Sequence, residues 1–337
     1  MGALHARMAC ENRFQRDANT SSMSHDMPVE DRSLSTHDAS GAGMTATGSP
    51  ILVMIDGRDG THALADASAP QLRVDDPIVS HGDGVFETML ATHGVLRKPE
   101  AHLRRLAASA AAAGLDAPDA QVWRDAVATA MRAHRPCADM MVKLVLGRGP
   151  HGTAACTAWV YAADCSGRFD AVRRHGVDAL LLERGCDAAL GPRAPWLLLG
   201  AKSLSYALNT AALRHARSQG ADDAVFVSAD GFILEGATSN VIIARRDGDD
   251  VVLLTPPHDA SLLPGTTQAA LFDAARHRGW RTAYAALTPD DLFTAEGVWL
   301  SSSLRLLAPV NRVDGRALMR SPALDAALFA LLDTTLG

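Results

Sequence analysis

The sequence predicts a mixed α+β protein, because strand patterns occur both as hairpins and between helical stretches. Residues 224–228 and 232–235 are joined through a turn at Asp230-Gly231, and residues 240–244 and 251–254 are joined around Asp247-Gly248. Hydrophobic residues make up 47% of the chain and charged residues 21%, as in soluble globular proteins with a buried core. Strands paired in this way do not fit a doubly wound parallel sheet.

The first half of the chain contains a polar tail and one α/β unit. Residues 1–49 have few aliphatic side chains and no periodicity, which predicts disorder, and Met23, Met27 and Met44 are alternative starts. Apolar runs predict strands over 51–55, 85–90, 140–146 and 158–162, and helical periodicity spans 99–115 and 120–134. We therefore predict a smaller α/β domain over residues 50–163 and a linker over 164–170.

The second half, residues 171–337, is predicted to form a larger domain. Strand patterns cover 177–182, 196–199 and 297–301, and helices are predicted over 203–217, over 267–279 and from Pro322. In this interpretation Lys202 follows an apolar strand and opens a helix.

Bulk properties exclude several classes of protein. A net charge of −6 and a pI of about 6.1 argue against nucleic acid as the main partner. No apolar run approaches the roughly 18 residues of a membrane span, and the polar N-terminus lacks a signal-peptide core. The five cysteines are scattered without a CxxC pair, which fits a reducing compartment and predicts a cytoplasmic protein. Nucleophile-elbow, P-loop and metal-ligand patterns are absent from the sequence, so no metal is expected.

Lys202 is the first candidate for covalent chemistry. Burial at an element boundary would lower the pKa of its amine towards neutrality and provide the uncharged nucleophile that a Schiff base requires. Taken alone, the residue is better explained as a solvated lysine at the start of a helix, because a single residue is not a motif.

Two further segments carry groups suited to an anionic, ring-containing cofactor. Glu235 ends a strand before small residues, where its carboxylate could keep a pyridinium nitrogen protonated, or it is simply a turn glutamate in water. Gly265-Thr266-Thr267 precedes an amphipathic helix, whose first N–H groups form an anion site or an ordinary helix cap. Arg105 is either a surface arginine or the cationic partner of that anion.

Five ordered motifs carry a specific resemblance: GDGVFET (82–88), HLRRL (102–106), AKSLSY (201–206), LEGATSN (234–240) and LPGTT (263–267). Together they resemble the fold-type-IV pyridoxal-phosphate enzymes, the class IV aminotransferases and aminodeoxychorismate lyases, over residues from about 51 to about 315. The resemblance implies a two-domain fold with pyridoxal 5'-phosphate between the domains, and a homodimer. It also implies roles for residues of this chain. Lys202 resembles the Schiff-base lysine, Glu235 the partner of the pyridine nitrogen and Arg105 the phosphate-binding arginine. Further cofactor contacts are implied for Gly265, Thr266, Thr267, Ser302, Ser303, Tyr206 and Asn209.

Within the family, the sequence is most similar to actinobacterial 4-amino-4-deoxychorismate lyases. The Arg-x-His carboxylate trap of D-amino-acid aminotransferases is replaced by a pattern running from Lys143 to Arg148-Gly149. Thr88 lies where the lyases have a threonine, which implies a catalytic role, and Phe86, Lys143 and Arg148 are candidate substrate contacts. Lys143 and Arg148 meet substrate carboxylates or only stabilise the strand end. A class IV aminotransferase acting on branched-chain L-amino acids or D-amino acids, and a non-catalytic cofactor-binding scaffold, remain as alternatives.

Overall fold

Two β-sheets, each covered by helices, make up the part of the chain that the computed structural model describes, residues 48–153, 155–248, 250–258 and 261–335. The predicted disordered tail and the alternative starts lie outside these residues, apart from positions 48 and 49. Elements are numbered in chain order.

The first sheet has six antiparallel strands in the order β2-β1-β6-β5-β3-β4. Its strands are β1 (Ile51–Asp56), β2 (His62–Ala65), β3 (Gly84–Thr92), β4 (Val95–Leu96), β5 (Asp139–Gly147) and β6 (Thr157–Asp164). Side chains alternate between the two faces. On β3, Val85, Glu87 and Met89 are buried beneath the helices, and Phe86 and Thr88 are half-buried on the other face. The strands predicted from apolar runs in this region are confirmed.

The second sheet has nine strands, with β12-β11-β10-β13-β14-β7-β8-β9 in order and β15 paired to β14. Its strands are β7 (Val177–Glu183), β8 (Asp223–Val227), β9 (Ile233–Gly236), β10 (Asn240–Asp247), β11 (Asp250–Thr255), β12 (Arg281–Tyr284), β13 (Gly297–Ser302), β14 (Leu306–Val313) and β15 (Arg316–Ala317). The parallel pairs are β7 with β8, β7 with β14 and β11 with β12. Both predicted hairpins, β8–β9 and β10–β11, are present as antiparallel pairs, so the mixed α+β class is confirmed.

The helices are α1 (Pro77–Ser80), α2 (Pro99–Ala112), α3 (Ala120–Ala133), α4 (Asp170–His175), α5 (Ala207–Ser218), α6 (Thr266–His277), α7 (Pro289–Thr294) and α8 (Pro322–Asp333). Every one of these helices except α4, which has no buried residue, buries part of its surface. Leu103 and Leu106 of α2 and Trp123 of α3 pack on the first sheet. Leu271 of α6 and Leu328 of α8 pack with β13 of the second.

The segment before Lys202 differs from the prediction. Residues 196–199 do not form a strand: Pro195–Leu197 is a 3-10 turn, and Leu198 adopts a left-handed conformation with φ of 53°. The helix predicted from residue 203 begins only at Ala207. Lys202 therefore lies in an irregular segment and does not open a helix.

The chain leaves the first sheet at Asp164 and enters the second at Val177. This passage falls at the predicted linker. The described residues all belong to one compact unit, and the assignment of two separate domains stays a prediction.

Candidate active site

One cavity of about 580 Å³ brings together all ten residues predicted to bind the cofactor. Its wall is formed by the Lys202 segment, the turn after β9, the start of α6, the end of β13 and the side chain of Arg105 from α2. These elements are far apart in sequence, so the cavity exists only in the folded chain. The residues are Arg105, Lys202, Tyr206, Asn209, Glu235, Gly265, Thr266, Thr267, Ser302 and Ser303.

Lys202 is held by the first sheet and by α2. Its carbonyl accepts a hydrogen bond of 2.9 Å from the N–H of Phe86, and the N–H of Leu204 donates to the Gly84 carbonyl at 2.8 Å, so the segment pairs antiparallel with the start of β3. The Lys202 N–H donates to Ser109 Oγ of α2 at 3.1 Å. The backbone of Lys202 is therefore fixed on both sides, although no regular element contains it.

The pKa of the Lys202 amine is lowered towards neutral pH. Burial, helped by the positive charge of Arg105, lowers the pKa of Lys202 to about 8. Its Nζ lies 4.6 Å from the centre of the Phe86 ring. A substantial fraction of the amine is thus uncharged at mildly alkaline pH, as a nucleophile or base requires.

A second lysine, Lys143, also lies against the Phe86 ring. Lys143 Nζ lies 5.1 Å from the same ring centre, and burial lowers the pKa of Lys143. Phe86 also contacts Tyr206 edge-to-face at 5.4 Å. Phe86 therefore contacts two cavity-lining residues, Lys202 and Tyr206, from the half-buried face of the first sheet without lining the cavity itself.

Glu235 is fixed at both carboxylate oxygens. Oε1 accepts from Arg184 Nη1 at 3.1 Å, and Oε2 accepts from the N–H of Leu263 at 3.3 Å. Burial raises the pKa of Glu235, and Arg184 opposes that rise. The two hydrogen bonds fix the orientation of the carboxylate, and Glu235 still lines the cavity.

Glu87 organises a buried network beside the cavity. Its fully buried carboxylate accepts from Arg105 Nε at 2.6 Å and Nη2 at 2.9 Å, and lies 2.6 Å from His102 Nδ1. Burial alone would raise the pKa of Glu87, but Arg105 and His102 outweigh it and lower the pKa to about 2. Arg105 Nη1 also donates to the Pro264 carbonyl at 2.7 Å. The network thereby fixes Arg105 against the loop before α6 and leaves some of its N–H groups for an anion.

His102 extends this network to the start of α6. Burial lowers the pKa of His102, so the neutral ring donates from Nδ1 to Glu87. Its Nε2 then accepts from the Thr266 hydroxyl, 3.2 Å away. Because that hydroxyl proton is committed, the N–H groups of the first turn of α6 are the donors that remain there for an anion.

The turn after β9 is held by α5. Asn209 Nδ2 donates to the Ala237 carbonyl at 2.7 Å, and the Tyr206 hydroxyl donates to the same oxygen at 3.4 Å. Burial raises the pKa of Tyr206 to about 12, so its hydroxyl stays protonated. Both residues line the cavity and also shape its wall.

Several buried polar atoms of the cavity fit a phosphate-bearing group. The hydroxyls of Ser239 and Ser301 are buried and have no hydrogen-bond partner within the described chain. At Gly265 a Cβ would lie 1.9 Å from Asn240 Oδ1, and at Gly236 a Cβ would lie 2.2 Å from Ser239 Oγ. The residues present, with Arg105 and the α6 N-terminus, therefore suit pyridoxal phosphate, and Lys202 would hold it covalently.

Four predicted residues lie off the cavity wall. Phe86 and Lys143 do not line it, and Thr88 lies two positions along β3 from Phe86, opposite Lys143 in register. Arg148 Nε donates to Asp83 at 2.7 Å, and its other nitrogens donate to the carbonyls of residues 113 and 114. This geometry favours the alternative that Arg148 stabilises the strand end.

The sequence analysis assigned no role in the site to three residues, Arg184, His102 and Glu87. A usable signal existed for two of them. Glu87 is a carboxylate on the buried face of an apolar strand, and His102 and Arg105 are three residues apart on one helix face. Arg184 carries no local signal, because its pairing with Glu235 is long-range.

Within the described ranges, no group of metal-binding side chains was found, and no helix is long and apolar enough to cross a bilayer.

Comparison with known proteins identifies the family. The sequence model described as amino-transferase class IV matches residues 84–313, and the chain belongs to this family of pyridoxal-phosphate enzymes. Among curated relatives, a bifunctional aminodeoxychorismate lyase / D-amino acid transaminase of Mycobacterium tuberculosis is 44% identical over 84% of this chain and 97% of its own length. A D-alanine aminotransferase of Bacillus licheniformis is 24% identical over 76% of this chain and 87% of its own length.

Solved structures share the fold, and one of them contains the cofactor. The pyridoxal-phosphate-bound form of a hypothetical aminotransferase from Mycobacterium tuberculosis has a TM-score of 0.79 at 41% identity, covering 85% of this chain and 98% of that one. A fold IV transaminase from Curtobacterium pusillum has a TM-score of 0.79 at 43% identity, covering 84% and 99%. The predicted fold-type-IV class and cofactor are confirmed.

Proposed function

We propose that this chain is a 4-amino-4-deoxychorismate lyase, which releases pyruvate and forms p-aminobenzoate for folate biosynthesis. The observation that carries the proposal is the pair of amines around Phe86. Lys202 supplies a base on the cavity wall, and Lys143 supplies a half-buried cation beside it. Within the described residues Lys143 makes no ion pair, and although it does not line the cavity it adds positive charge beside the site, which favours an anionic substrate. The relative that is 44% identical carries lyase activity in its name.

The residues divide the chemistry between them. When bound, the cofactor supplies an electron sink that stabilises negative charge on the carbon next to the substrate amine. The Lys202 amine would be the base that takes the proton from the amine-bearing ring carbon of the substrate. Glu235 holds the proton on the cofactor's ring nitrogen. The C–O bond to the enolpyruvyl group breaks, the departing group takes up a proton and becomes pyruvate, and the substrate ring becomes aromatic.

The proton for the departing group comes from Lys202 or Thr88. Lys202 lies on the cavity wall and gains a proton in the preceding step, whereas Thr88 does not line the cavity. The geometry therefore favours Lys202 as the acid. A positioned acid–base group contributes about 10²–10⁴-fold to the rate.

A class IV transaminase activity is the second candidate, because the same relative is also named a D-amino acid transaminase. It would use Lys202 and Glu235 in the same places and return the proton to the cofactor carbon.

We also propose that the protein is a cytoplasmic homodimer. Trp196 and Leu197, 75% and 47% exposed at the cavity rim, are apolar side chains that a second subunit would cover.

The proposed activity is tested with purified holoprotein and freshly generated aminodeoxychorismate, by following p-aminobenzoate and pyruvate chromatographically. We expect equimolar products, and slower keto-acid formation from D-alanine or branched-chain L-amino acids. Transamination without p-aminobenzoate would replace the lyase assignment by the second candidate. A change in the cofactor spectrum on adding amines, with no product from any of them, would indicate a non-catalytic scaffold.

A further inference from the structure

We propose that Arg184 is a positioning residue for the cofactor: its guanidinium orients the Glu235 carboxylate and keeps it charged where the cofactor's ring nitrogen binds. The inference rests on the proposed place of Glu235 at that nitrogen. It does not depend on whether the enzyme is a lyase or a transaminase.

Arg184 is itself held firmly. It follows directly on β7, and its N–H donates to the Val227 carbonyl of β8 at 2.8 Å. Its guanidinium lies 5.6 Å from the centre of the Phe226 ring. The side chains of Arg184 and Glu235 are 14% and 12% exposed, and both line the cavity. The pair is thus a partly buried ion pair whose remaining exposure is to the cavity.

The Glu235 carboxylate can still accept a hydrogen bond from the cavity. Oε1 is bound by Arg184 and Oε2 by the N–H of Leu263, from two separate segments. A carboxylate oxygen can accept more than one hydrogen bond. The carboxylate can therefore accept a further N–H donor from the cavity without losing either protein contact, and its orientation is already set.

The charge of Glu235 depends on its two cationic neighbours. Burial raises the pKa of Glu235, and the charges of Arg184 and Lys202 act against that rise. Arg184 is the cation in direct contact with the Glu235 carboxylate, at 3.1 Å, and its charge opposes the effect of burial more strongly than that of Lys202. A neutral carboxylic acid could not hold a proton on the ring nitrogen, because it lacks the negative charge that stabilises the pyridinium.

The experiment uses substrate-free holoprotein, so failure of the lyase assignment cannot affect it. Wild type, Arg184→Met, Arg184→Gln and Arg184→Lys are titrated from mildly acidic to mildly alkaline pH while the absorption of the bound cofactor is recorded. Arg184→Gln keeps a hydrogen-bond donor and removes the charge, and Arg184→Lys keeps the charge. The dissociation constant of the cofactor is measured in parallel by titrating apoprotein.

We expect the Met and Gln variants to show a pH-dependent change of the cofactor spectrum at neutral pH that wild type and Arg184→Lys lack. Their cofactor dissociation constants should rise about tenfold for each unit by which the Glu235 pKa exceeds the working pH. Arg320→Met is the matched control, because it removes another arginine–carboxylate pair, with Asp325, that lies away from the cavity.

Two results would overturn the proposal. One is a Gln variant whose titration superimposes on that of wild type. The other is an equal change in the Gln and Lys variants, which would mean that Arg184 acts only as a structural anchor. If the Met variant does not fold, the comparison of Gln with Lys decides.

Discussion

Replacing Lys202 by alanine is expected to abolish turnover, with a loss of at least about 10⁴-fold. The substitution removes the amine that bonds to the cofactor and the base that moves the substrate proton, and no other amine lines the cavity within the described residues. The chain contains only three lysines, Lys98, Lys143 and Lys202, so few replacements exist. The measurement is the initial rate of p-aminobenzoate formation, or of transamination.

Lys98→Arg provides the control. Lys98 precedes α2 and does not line the cavity, so this variant should keep wild-type rates. Near-wild-type activity of Lys202→Ala would refute the assignment of the site.

Replacing Glu87 by glutamine is expected to lower the free energy of unfolding at neutral pH by about 3–4 kcal/mol. The figure follows from lowering the pKa of a fully buried carboxyl from 4.5 to about 2, at about 1.4 kcal/mol per unit. The variant also leaves Arg105 partly buried without its counter-charge. Because the folded-state pKa lies below the unfolded one, this stability is present above about pH 4.5 and is lost as pH falls through about 2.

Urea unfolding of the apoprotein measures this effect, at neutral pH and again under acidic conditions where the wild-type advantage should shrink. Glu100→Gln is the matched control, since Glu100 pairs with Arg124 on the exposed side of α2, with side chains 52% and 42% exposed. An exposed pair contributes less than about 1 kcal/mol. Equal losses in the two variants would show that the Glu87 network does not stabilise the fold.

Local sequence patterns predict much of this fold because they report local physics. Of the apolar stripe that periodicity predicts on α2, Leu103, Leu106 and Ala110 are buried and Ala107 is exposed. The glycine turns between apolar runs form the two predicted hairpins. The cofactor residues were found through ordered motifs, and the structure gathers them around one cavity. Their individual roles remain proposals.

The sequence analysis fails where the conformation depends on a local break in a short apolar run or on contacts between distant residues. Residues 196–199 are apolar enough for a strand, but a run of four carries no periodicity, and Pro195 and the left-handed Leu198 break it. Lys202 is positioned by β3 and by Ser109, which no neighbouring residue reveals. Arg184 and Glu235 meet only because β7 and β9 flank β8.

The central claim, that Lys202 carries the cofactor, is tested most directly by locating the covalent bond. Holoprotein is reduced with borohydride to make the linkage permanent, digested, and mapped by mass spectrometry. We expect the cofactor on the peptide containing Lys202 and none on peptides containing Lys98 or Lys143. Attachment to Lys143, or no attachment in protein that retains the cofactor, would contradict the account.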